Sequence, residues 1–455
     1  MNPEEIKKIR AKLNSIGQGF CMAKWYHVSL HLHTGVNHSC YHPMPHPIPL
    51  EEVKKDPSKL HNTDWKKQQR KTMLEGGRPE ECSYCWNIED LEGDQISDRY
   101  LRSSEDWAQP LIDKTAKMDG SEDVYPRYLE VNFGFECNLK CSYCASSVSS
   151  SWHAEIKKHG DYDLKNPVNK RQYSISDQVW RNEDENPYIE AFWKWFPEVY
   201  PHLHTFRVTG GEPLLSKNVF RSLDYIQENP NPNLEWSVNT NMCISDKNLR
   251  RYADTVADLV KNNKIKQVST FTSVDTWGAQ AEYIRYGFKR DLFLKNIDTY
   301  LSIVPKSTIN FMITFNFLSM PNFDLLLDLI LELRKRYNTE GINRVNFDTP
   351  YLIEPPHLSA QIADDKMIER MHDTLDYMKS HCEEDTVFAF SQTEYRKLER
   401  VVKWIERFRY TGDELQLNRE DFCRFVDQHD ERRRTNFLET FPELRDFYQE
   451  HKSDV

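Results

Sequence analysis

The 455-residue sequence lacks any apolar run of the 18 or more residues that a membrane-spanning helix needs. Its first residues, MNPEEIKKIR, also lack the apolar stretch of a secretory signal. A chain with neither feature is expected to be cytoplasmic and to have no membrane partner.

Positive charge is also scarce. The formal net charge is −11, whereas proteins that bind nucleic acids usually carry a basic surplus or stripe. The basic runs at Lys66–Lys71 and Arg432–Arg434 are typical of solvated helix faces. The charge balance therefore disfavours a nucleic acid as partner, without excluding one.

The ten cysteines do not form the evenly used framework of a disulfide-rich secreted domain. In a reducing compartment, clustered cysteines indicate metal binding or catalysis. Hydrophobic residues make up 38% and aromatic residues 12% of the chain, which is ample for a packed core. At this length two or three structural units are expected.

Three cysteines lie within one stretch of eight residues, CNLKCSYC, with the spacing CxxxCxxC. Thiolates at such short loop spacings hold iron–sulfur clusters. Three of them leave one iron of a four-iron cluster without a protein ligand. The alternative, a zinc knuckle, requires a fourth Cys or His nearby, and the next downstream histidine is His153. The ligands in question are Cys137, Cys141 and Cys144.

From about residue 124 onward, strand patterns alternate with helix patterns, which predicts parallel βαβ units in an α/β barrel or an open sheet. The cysteine loop follows the first of these strands, at the end where active sites of such barrels gather. Helices are predicted at 217–228, 245–261, 290–302 and 322–337. The six predicted strands are 127–133, 204–210, 234–240, 267–275, 307–316 and 344–350.

The second strand is followed by the sequence GGEP, at Gly210, Gly211, Glu212 and Pro213. Glycines let the backbone approach a ligand closely, and Glu212 can accept hydrogen bonds from an ammonium group. A CxxxCxxC loop followed one strand later by GGEP resembles the radical S-adenosylmethionine (SAM) superfamily.

The resemblance implies a fold and a chemistry. The fold is a partial (β/α)6 TIM-like barrel. The chemistry is that of a [4Fe–4S] cluster whose open iron binds the methionine part of SAM. One electron, from a donor such as flavodoxin or ferredoxin, cleaves SAM to a 5′-deoxyadenosyl radical, which abstracts hydrogen from the substrate.

Beside the GGEP residues, the resemblance assigns SAM contacts to Asn239, Ser273, Asp275 and Asn316 near strand ends, for which a turn cap is the open alternative. It also assigns Arg285 to the SAM carboxylate and Tyr143 to the adenine, with plain packing as the alternative for Tyr143. Cys243, just past the third strand, is the candidate catalytic residue for a later step. A buried, inert cysteine is the competing interpretation.

Four more cysteines precede the barrel pattern: Cys21, Cys40, Cys82 and Cys85. Their spacing fits either zinc or an iron–sulfur cluster. The segment from Cys21 through Gly35 to Cys40 resembles the hairpin that opens the SPASM and twitch modules of radical SAM enzymes. The resemblance implies a second, auxiliary [4Fe–4S] cluster, in a module that here precedes the barrel instead of following it. Histidines of this segment could replace a ligand, although surface or turn positions suit them: His27, His31, His33, His38, His42 and His46.

These patterns divide the chain into a cysteine-rich module at 1–123, a barrel core at 124–355 and a helical C-terminal region at 356–455. Residues 145–190 form an insertion that is either a lid or a solvated excursion.

The resemblance implies a peptide or protein as substrate. A dehydrogenase or epimerase acting on a small sugar or aminocyclitol is the alternative. An RNA-modifying enzyme and a zinc-binding interaction protein rank lower. About 20 residues precede Cys21, too few for a leader-peptide-binding domain, which weakens the peptide interpretation.

Overall fold

The computed structural model describes residues 3–91, 95–176 and 179–452. It is a mixed α/β structure with a nine-stranded central sheet and a separate two-stranded sheet. None of the helices in these ranges is long and apolar enough to cross a membrane. The strands are β1 (His27–His31), β2 (Val36–His38), β3 (His46–Pro47), β4 (Tyr128–Asn132), β5 (Lys140–Cys141), β6 (Thr205–Thr209), β7 (Glu235–Thr240), β8 (Gln267–Ser273), β9 (Arg285–Tyr286), β10 (Thr308–Met312) and β11 (Val345–Asp348).

The central sheet has the strand order β11-β10-β8-β7-β6-β4-β1-β2-β3. All six predicted core strands are present and parallel to their neighbours. Several end earlier than predicted: β8 stops at Ser273, so that Asp275 lies in the loop beyond it. The apolar Val274 extended the sequence pattern past the last residue of the strand.

The N-terminal hairpin was predicted to belong to a separate module, but its first strand joins the central sheet. Its first strand, β1, pairs parallel with β4, from His27 opposite Tyr128 to His31 opposite Asn132. The reason is burial: Val28 and Leu30 join the same hydrophobic core as β4. The sheet therefore contains a seventh parallel strand that comes from the cysteine-rich segment, and β2 and β3 follow it antiparallel.

The two faces of this sheet differ in character. Side chains alternate between faces along a strand, and one set is fully buried among the helices: Leu129, Val131, Phe206, Val208, Trp236 and Val238. The other face is largely polar. Across neighbouring strands the register aligns Ser29, Glu130, Arg207, Ser237, Ser269 and Thr308 in one row.

Helices cover the apolar face of the central sheet, and helices are also the first and last elements of the described chain. The predicted helix at 217–228 is present with those bounds. The α-helices are α1 (Pro3–Ile16), α2 (Ala23–Tyr26), α3 (Leu50–Lys55), α4 (Asp64–Leu74), α5 (Ser83–Glu89), α6 (Asp98–Ser103), α7 (Ile112–Thr115), α8 (Ser150–His159), α9 (Pro167–Gln172), α10 (Pro187–Val199), α11 (Lys217–Glu228), α12 (Asp246–Lys261), α13 (Ala279–Ile284), α14 (Arg290–Ile303), α15 (Phe323–Tyr337), α16 (Asp365–Ser380), α17 (Gln392–Phe408), α18 (Gly412–Arg433), α19 (Phe437–Thr440) and α20 (Arg445–His451).

Two hydrophobic clusters organise the interior. The larger follows the sheet and its helices, including the C-terminal helices. The smaller lies between residues 6 and 128, contains Trp25, Trp86 and Trp107, and packs against all four N-terminal cysteines. The cysteine-rich segment thus has a core of its own, although its first strand belongs to the main sheet.

Candidate active site

The CxxxCxxC loop leaves the carboxyl end of β4 and is fixed by a two-stranded sheet. Cys141 in β5 pairs with Arg285 in β9, antiparallel. The pairing brings the arginine side chain to the loop, where its Nη1 donates to the Cys141 Sγ at 3.5 Å. Of the sequence-predicted residues, Arg285 is thereby placed directly beside a proposed cluster ligand.

Tyr143, Asp275 and Arg285 form one buried network at this loop. The guanidinium donates to Asp275 through Nε and Nη2, both at 2.9 Å. The Tyr143 hydroxyl donates to the same carboxylate at 3.0 Å, and Arg285 also contacts that hydroxyl. A fourth donor is the Thr314 N–H, at 3.1 Å. Three residues assigned separately by resemblance are therefore in mutual contact.

This network is almost sealed from solvent, since Asp275 is 0% and Arg285 4% exposed. Burial opposes the charge of Arg285, but Asp275 and Tyr143 outweigh it and hold the arginine pKa well above its ordinary value. Bidentate contacts between guanidinium and carboxylate fix both groups in one orientation. The network therefore holds polar groups in fixed positions beside Cys141.

The two glycines of GGEP pass close to the backbone that leads into the cysteine loop. Gly210 has φ +144°, and a Cβ there would lie 2.9 Å from the Asn132 Oδ1. A Cβ on Gly211 would lie 2.4 Å from the carbonyl oxygen of Glu136. Because no side chain fits at either position, the glycines hold the ends of β4 and β6 together at the candidate site.

Glu212 is 2% exposed and bonds the ends of two strands. Its carboxylate accepts from the Leu214 N–H at 3.0 Å, the Thr240 hydroxyl at 2.8 Å and the Asn241 N–H at 2.7 Å. Burial raises the pKa of Glu212 to about 7, and these three donors oppose the rise. Pro213 is buried next to it, at the start of a short 3-10 turn.

Cys243 lies behind the cysteine loop. It is 5% exposed, its Sγ faces the carbonyl oxygen of Lys289 at 3.7 Å, and burial raises its pKa to about 11. Two asparagines that the sequence did not single out connect it to the loop: Asn138 donates to the Cys243 carbonyl at 2.7 Å, and Asn241 donates to Asn138 at 2.9 Å. These contacts favour the interpretation of Cys243 as a buried, inert cysteine.

Of the remaining predicted SAM residues, Asn239 and Ser273 have neighbours outside the network of Tyr143, Asp275 and Arg285. Asn316 donates to the carbonyl of Thr314 at 2.7 Å, and the N–H of Thr314 binds Asp275. Asn239 accepts a hydrogen bond from the Arg207 Nε at 3.0 Å on the polar face of the sheet. Ser273 ends β8, next to Met312 in the register. Asn316 is buried and caps a short turn, accepting from the Leu318 N–H at 3.0 Å. The turn-cap alternative therefore describes the contacts of Asn316.

The C-terminal region also contacts the cysteine loop, which the sequence did not predict. Arg433 of α18 donates to Glu155 at 3.0 Å and 3.2 Å and to the carbonyl of Lys140 at 3.0 Å. Trp152 completes the contact by donating from its indole to the Cys141 carbonyl at 2.8 Å. A single arginine thus joins α18, α8 and the loop.

Part of the described 145–190 insertion packs on the cysteine loop, whereas other positions, such as 157–161, are exposed. Gln172 donates to the carbonyl of Tyr143 at 2.9 Å, and Tyr173 donates to that of Ser142 at 2.8 Å. Asn169 of the same helix bonds Asp421 of α18 at 2.8 Å. The segment covers the cysteine loop, and positions 177 and 178 lie outside the described residues.

The second group of cysteines lies at the opposite end of the sheet, beside the first residues of β1 and β4. Cys21, Cys40, Cys82 and Cys85 together line one small cavity. Burial raises the pKa of Cys40 to about 12 and that of Cys82 to about 11. Burial also raises the pKa of Cys21, and the positive charges of Arg99 and Lys24 oppose the rise.

Both cations near these thiols are buried and paired. Lys24, 2% exposed, contacts the carboxylate of Glu81. Arg99, also 2% exposed, donates to Glu89 at 2.9 Å and 2.7 Å. Of the candidate histidine ligands, His42 lines the same cavity but is bonded to Asp98 at 2.6 Å.

Among the residues that the structure describes, no three His, Cys, Asp or Glu side chains are grouped as ligands of one metal ion. Burial raises the pKa of Cys137, and the nearby thiols of Cys141 and Cys144 raise it further.

No family model and no curated protein matches the sequence. One solved structure, described as native anSMEcpe with bound AdoMet, resembles 71% of this chain and 99% of its own, at 14% identity and a TM-score of 0.34. A likeness at that score carries no argument about function, so the chemistry has to be judged from the residues themselves.

Proposed function

We propose that this protein is a radical SAM enzyme with a partial (β/α)6 barrel, a SAM-binding [4Fe–4S] cluster on Cys137, Cys141 and Cys144, and an auxiliary cluster in its N-terminal segment. The observation that carries the proposal is the buried network of Tyr143, Asp275 and Arg285 against Cys141. Three motifs chosen separately from the sequence meet there, at the carboxyl ends of parallel strands.

The donor set fits a cluster better than a single ion. In a cubane each thiolate binds a different iron, so the sulfur atoms need not be grouped as they are around one metal. The Leu139 N–H points at the Cys137 Sγ at 3.5 Å and Arg285 at that of Cys141, which suits sulfur that carries negative charge. The same reasoning applies to the N-terminal cavity, where the positive charges of Arg99 and Lys24 act on the thiol of Cys21.

When bound, the cluster would supply one electron for reductive cleavage of SAM. The residues of this chain would bind SAM, orient it and exclude water from the site. Arg285, Tyr143 and Asp275 hold one another in place beside the loop, Gly210 and Gly211 let the ends of β4 and β6 approach there, and the insertion packs on the loop. Among the described residues, no acidic or basic group is bonded to the sulfur of Cys243, so Cys243 is assigned no part in this chemistry.

The substrate stays open between the two classes that the resemblance suggests, a peptide or protein and a small sugar-like molecule. Flavodoxin or ferredoxin as electron donor is likewise a proposal from resemblance.

The central test is release of 5′-deoxyadenosine from SAM by the full chain, reconstituted anaerobically with iron and sulfide and supplied with dithionite. Release is expected, with about eight irons per chain when both cysteine groups hold cubanes. No release by a protein that holds iron would contradict the radical function. About four irons with release intact would contradict only the auxiliary cluster.

A further inference from the structure

The turn after β7, residues 241–244, has a backbone conformation that its side chains do not favour. Met242, in this turn, is fully buried and has φ 56°, in the left-handed region that a methionine rarely adopts. Asn296 of α14 stabilises the turn by donating to the carbonyls of Met242 at 2.7 Å and Ile244 at 3.0 Å. Backbone strain of this kind persists where surrounding contacts hold it, often at functional sites.

Three hydrogen bonds join this turn to the cysteine loop in a closed ring. The Cys243 N–H donates to the Asn241 Oδ1 at 2.8 Å, the Asn241 Nδ2 donates to the Asn138 Oδ1 at 2.9 Å, and the Asn138 Nδ2 donates to the Cys243 carbonyl at 2.7 Å. Because a backbone N–H only donates and a carbonyl only accepts, the Cys243 backbone determines the orientation of both amides. Each side chain has to be a donor at one end and an acceptor at the other, which a carboxylate cannot be.

The ring is also bonded to the GGEP turn. The Asn241 N–H donates to the Glu212 carboxylate at 2.7 Å, and the Glu212 N–H donates to the carbonyl of Glu136 at 2.7 Å. Glu136 and Asn138 are the two chain neighbours of Cys137. Hydrogen bonds from the GGEP turn therefore lead to the residues on both sides of the first cysteine of the loop.

Cys137 itself is held from α8. Its N–H donates to the Ser150 hydroxyl at 3.0 Å, and its carbonyl accepts from the Ser151 hydroxyl at 2.6 Å. Asn138 is exposed, so its two hydrogen bonds replace bonds to water, and its side chain fills no space in the core. The contribution of Asn138 is therefore to the orientation of the loop more than to the stability of the fold.

We propose that Asn138 and Asn241 are positioning residues, which together fix Cys137 relative to the GGEP turn. A cluster bound by the loop would then lie in a fixed position relative to that turn, the two features that the resemblance assigns to SAM. The effect on the cluster rests on the proposed function, whereas the coupling between the two asparagines can be measured without iron.

The first measurement is hydrogen–deuterium exchange of the full chain, before and after reconstitution with iron and sulfide. Asn138→Ala should speed exchange of the Cys243 amide at least about threefold, because Asn241, which accepts from that amide, loses its own partner. The matched control is Asn229→Ala. Asn229 is also exposed and donates to a backbone carbonyl, that of Tyr225 at 3.0 Å, but it lies outside the ring.

The second measurement is the rate at which the chelator bathophenanthroline disulfonate removes iron from the reconstituted chain. In Asn138→Ala about four irons should leave about tenfold faster than in the unchanged protein. Asn138→Asp, which has nearly the same size, should lose them faster still, because a carboxylate oxygen would face the Cys243 carbonyl. Both variants should unfold in urea at the same midpoint as Asn229→Ala.

Release of 5′-deoxyadenosine is measured on the same preparations. In Asn138→Asp the KM for SAM should rise at least about fivefold, and by a larger factor than kcat falls, because the loop and the GGEP turn are no longer held together. Exchange at Cys243 that Asn138→Ala does not alter would overturn the proposal. Iron loss no faster than in Asn229→Ala, or an unchanged KM, would also overturn it.

The two proposals fail in different ways. Faster exchange and faster iron loss in a chain that releases no 5′-deoxyadenosine would overturn the radical function and leave the positioning role of the asparagines. Release of 5′-deoxyadenosine with neither effect would do the reverse.

Discussion

The two cysteine groups of this protein, which we propose as cluster ligands, lie at opposite ends of one sheet, and their surroundings differ. The N-terminal four lie in a small cavity inside their own hydrophobic cluster, which is built from residues 6 to 128. The three of the CxxxCxxC loop are contacted by β9, the GGEP turn, the insertion and α18. One site is closed and local, whereas the other is assembled from distant parts of the chain.

This difference parallels the general contrast between structural metal sites, which use all their ligands, and catalytic ones, which keep a position open. Four cysteines in a closed cavity can satisfy a cluster fully. Three cysteines would leave one iron of such a cluster without a protein ligand. The predictions below test whether the two sites are separable in this way, from the largest expected effect to the smallest.

Replacing all three loop cysteines, Cys137, Cys141 and Cys144, with serine should abolish release of 5′-deoxyadenosine, with a loss of more than about a hundredfold. Iron should fall by about four per chain while the N-terminal cluster stays. Cys382→Ser is the control, since Cys382 is half-buried and belongs to neither cysteine group. Release by the triple variant at a rate near that of the unchanged protein would contradict the assignment.

Replacing Cys82 and Cys85 with serine should also remove about four irons, but release should stay within about tenfold of the unchanged protein. The reason is distance, because this cavity lies at the other end of β4 from the loop. Iron analysis and chromatography of the nucleoside measure the two quantities. Complete loss of release in a folded variant would show that the sites are not separable.

Arg285→Ala should destabilise the protein by about 3–5 kcal/mol, because it leaves the Asp275 carboxylate buried without its charge partner. The double change Arg285→Ala with Asp275→Ala should cost less than the single one. Urea unfolding followed by circular dichroism measures both. Equal destabilisation of the single and double variants would mean that the pair is not coupled.

Arg433→Ala tests the contact that only the distant assembly provides. We expect a loss of about 2–3 kcal/mol, smaller than at Arg285, because Lys140 remains as a second cation beside Glu155. The neighbouring Arg434, which is exposed, serves as the control when changed to Ala. A loss of stability no larger than that of the control would mean that α18 does not stabilise the cysteine loop.

The same contact predicts a dependence on pH. Burial alone would raise the pKa of Glu155, but Arg433 and Lys140 outweigh it and lower that pKa to about 2. Since the pKa is depressed in the folded state, the stabilisation is present above pH 4.5 and is lost as pH falls towards 2. Between pH 5 and pH 3, the free energy of unfolding of Arg433→Ala should fall less steeply with decreasing pH than that of the unchanged protein.

Much of the fold was predictable because its signals are local. All six core strands were confirmed, and helix α11 has the predicted bounds, because apolar periodicity and turn residues mark such elements within a few residues. The pairing of β1 with β4 was not predictable: an alternating strand pattern before a glycine gives no information on which sheet it joins. The helix at Pro167–Gln172, within a stretch that reads as loop, is explained by its contacts with α18.

The candidate site divides in the same manner. Motif spacing pointed to Cys141 and the family resemblance to Asp275 and Arg285, and the structure brings these three residues into contact. Arg433, Asn138 and Asn241 carried no signal, since each is an ordinary polar residue whose role depends on a partner far away in the chain.

By itself, then, the sequence determined where cysteines, glycines and strands lie, and through CNLKCSYC and GGEP it indicated the kind of chemistry. Tertiary structure alone decided that one cysteine group is enclosed by a local core and the other by distant segments, and that the polar face of the sheet lines a cavity. The physical reason is range. Ligand spacing and backbone propensity act over a few residues, whereas burial and charge pairing depend on which surfaces folding brings together.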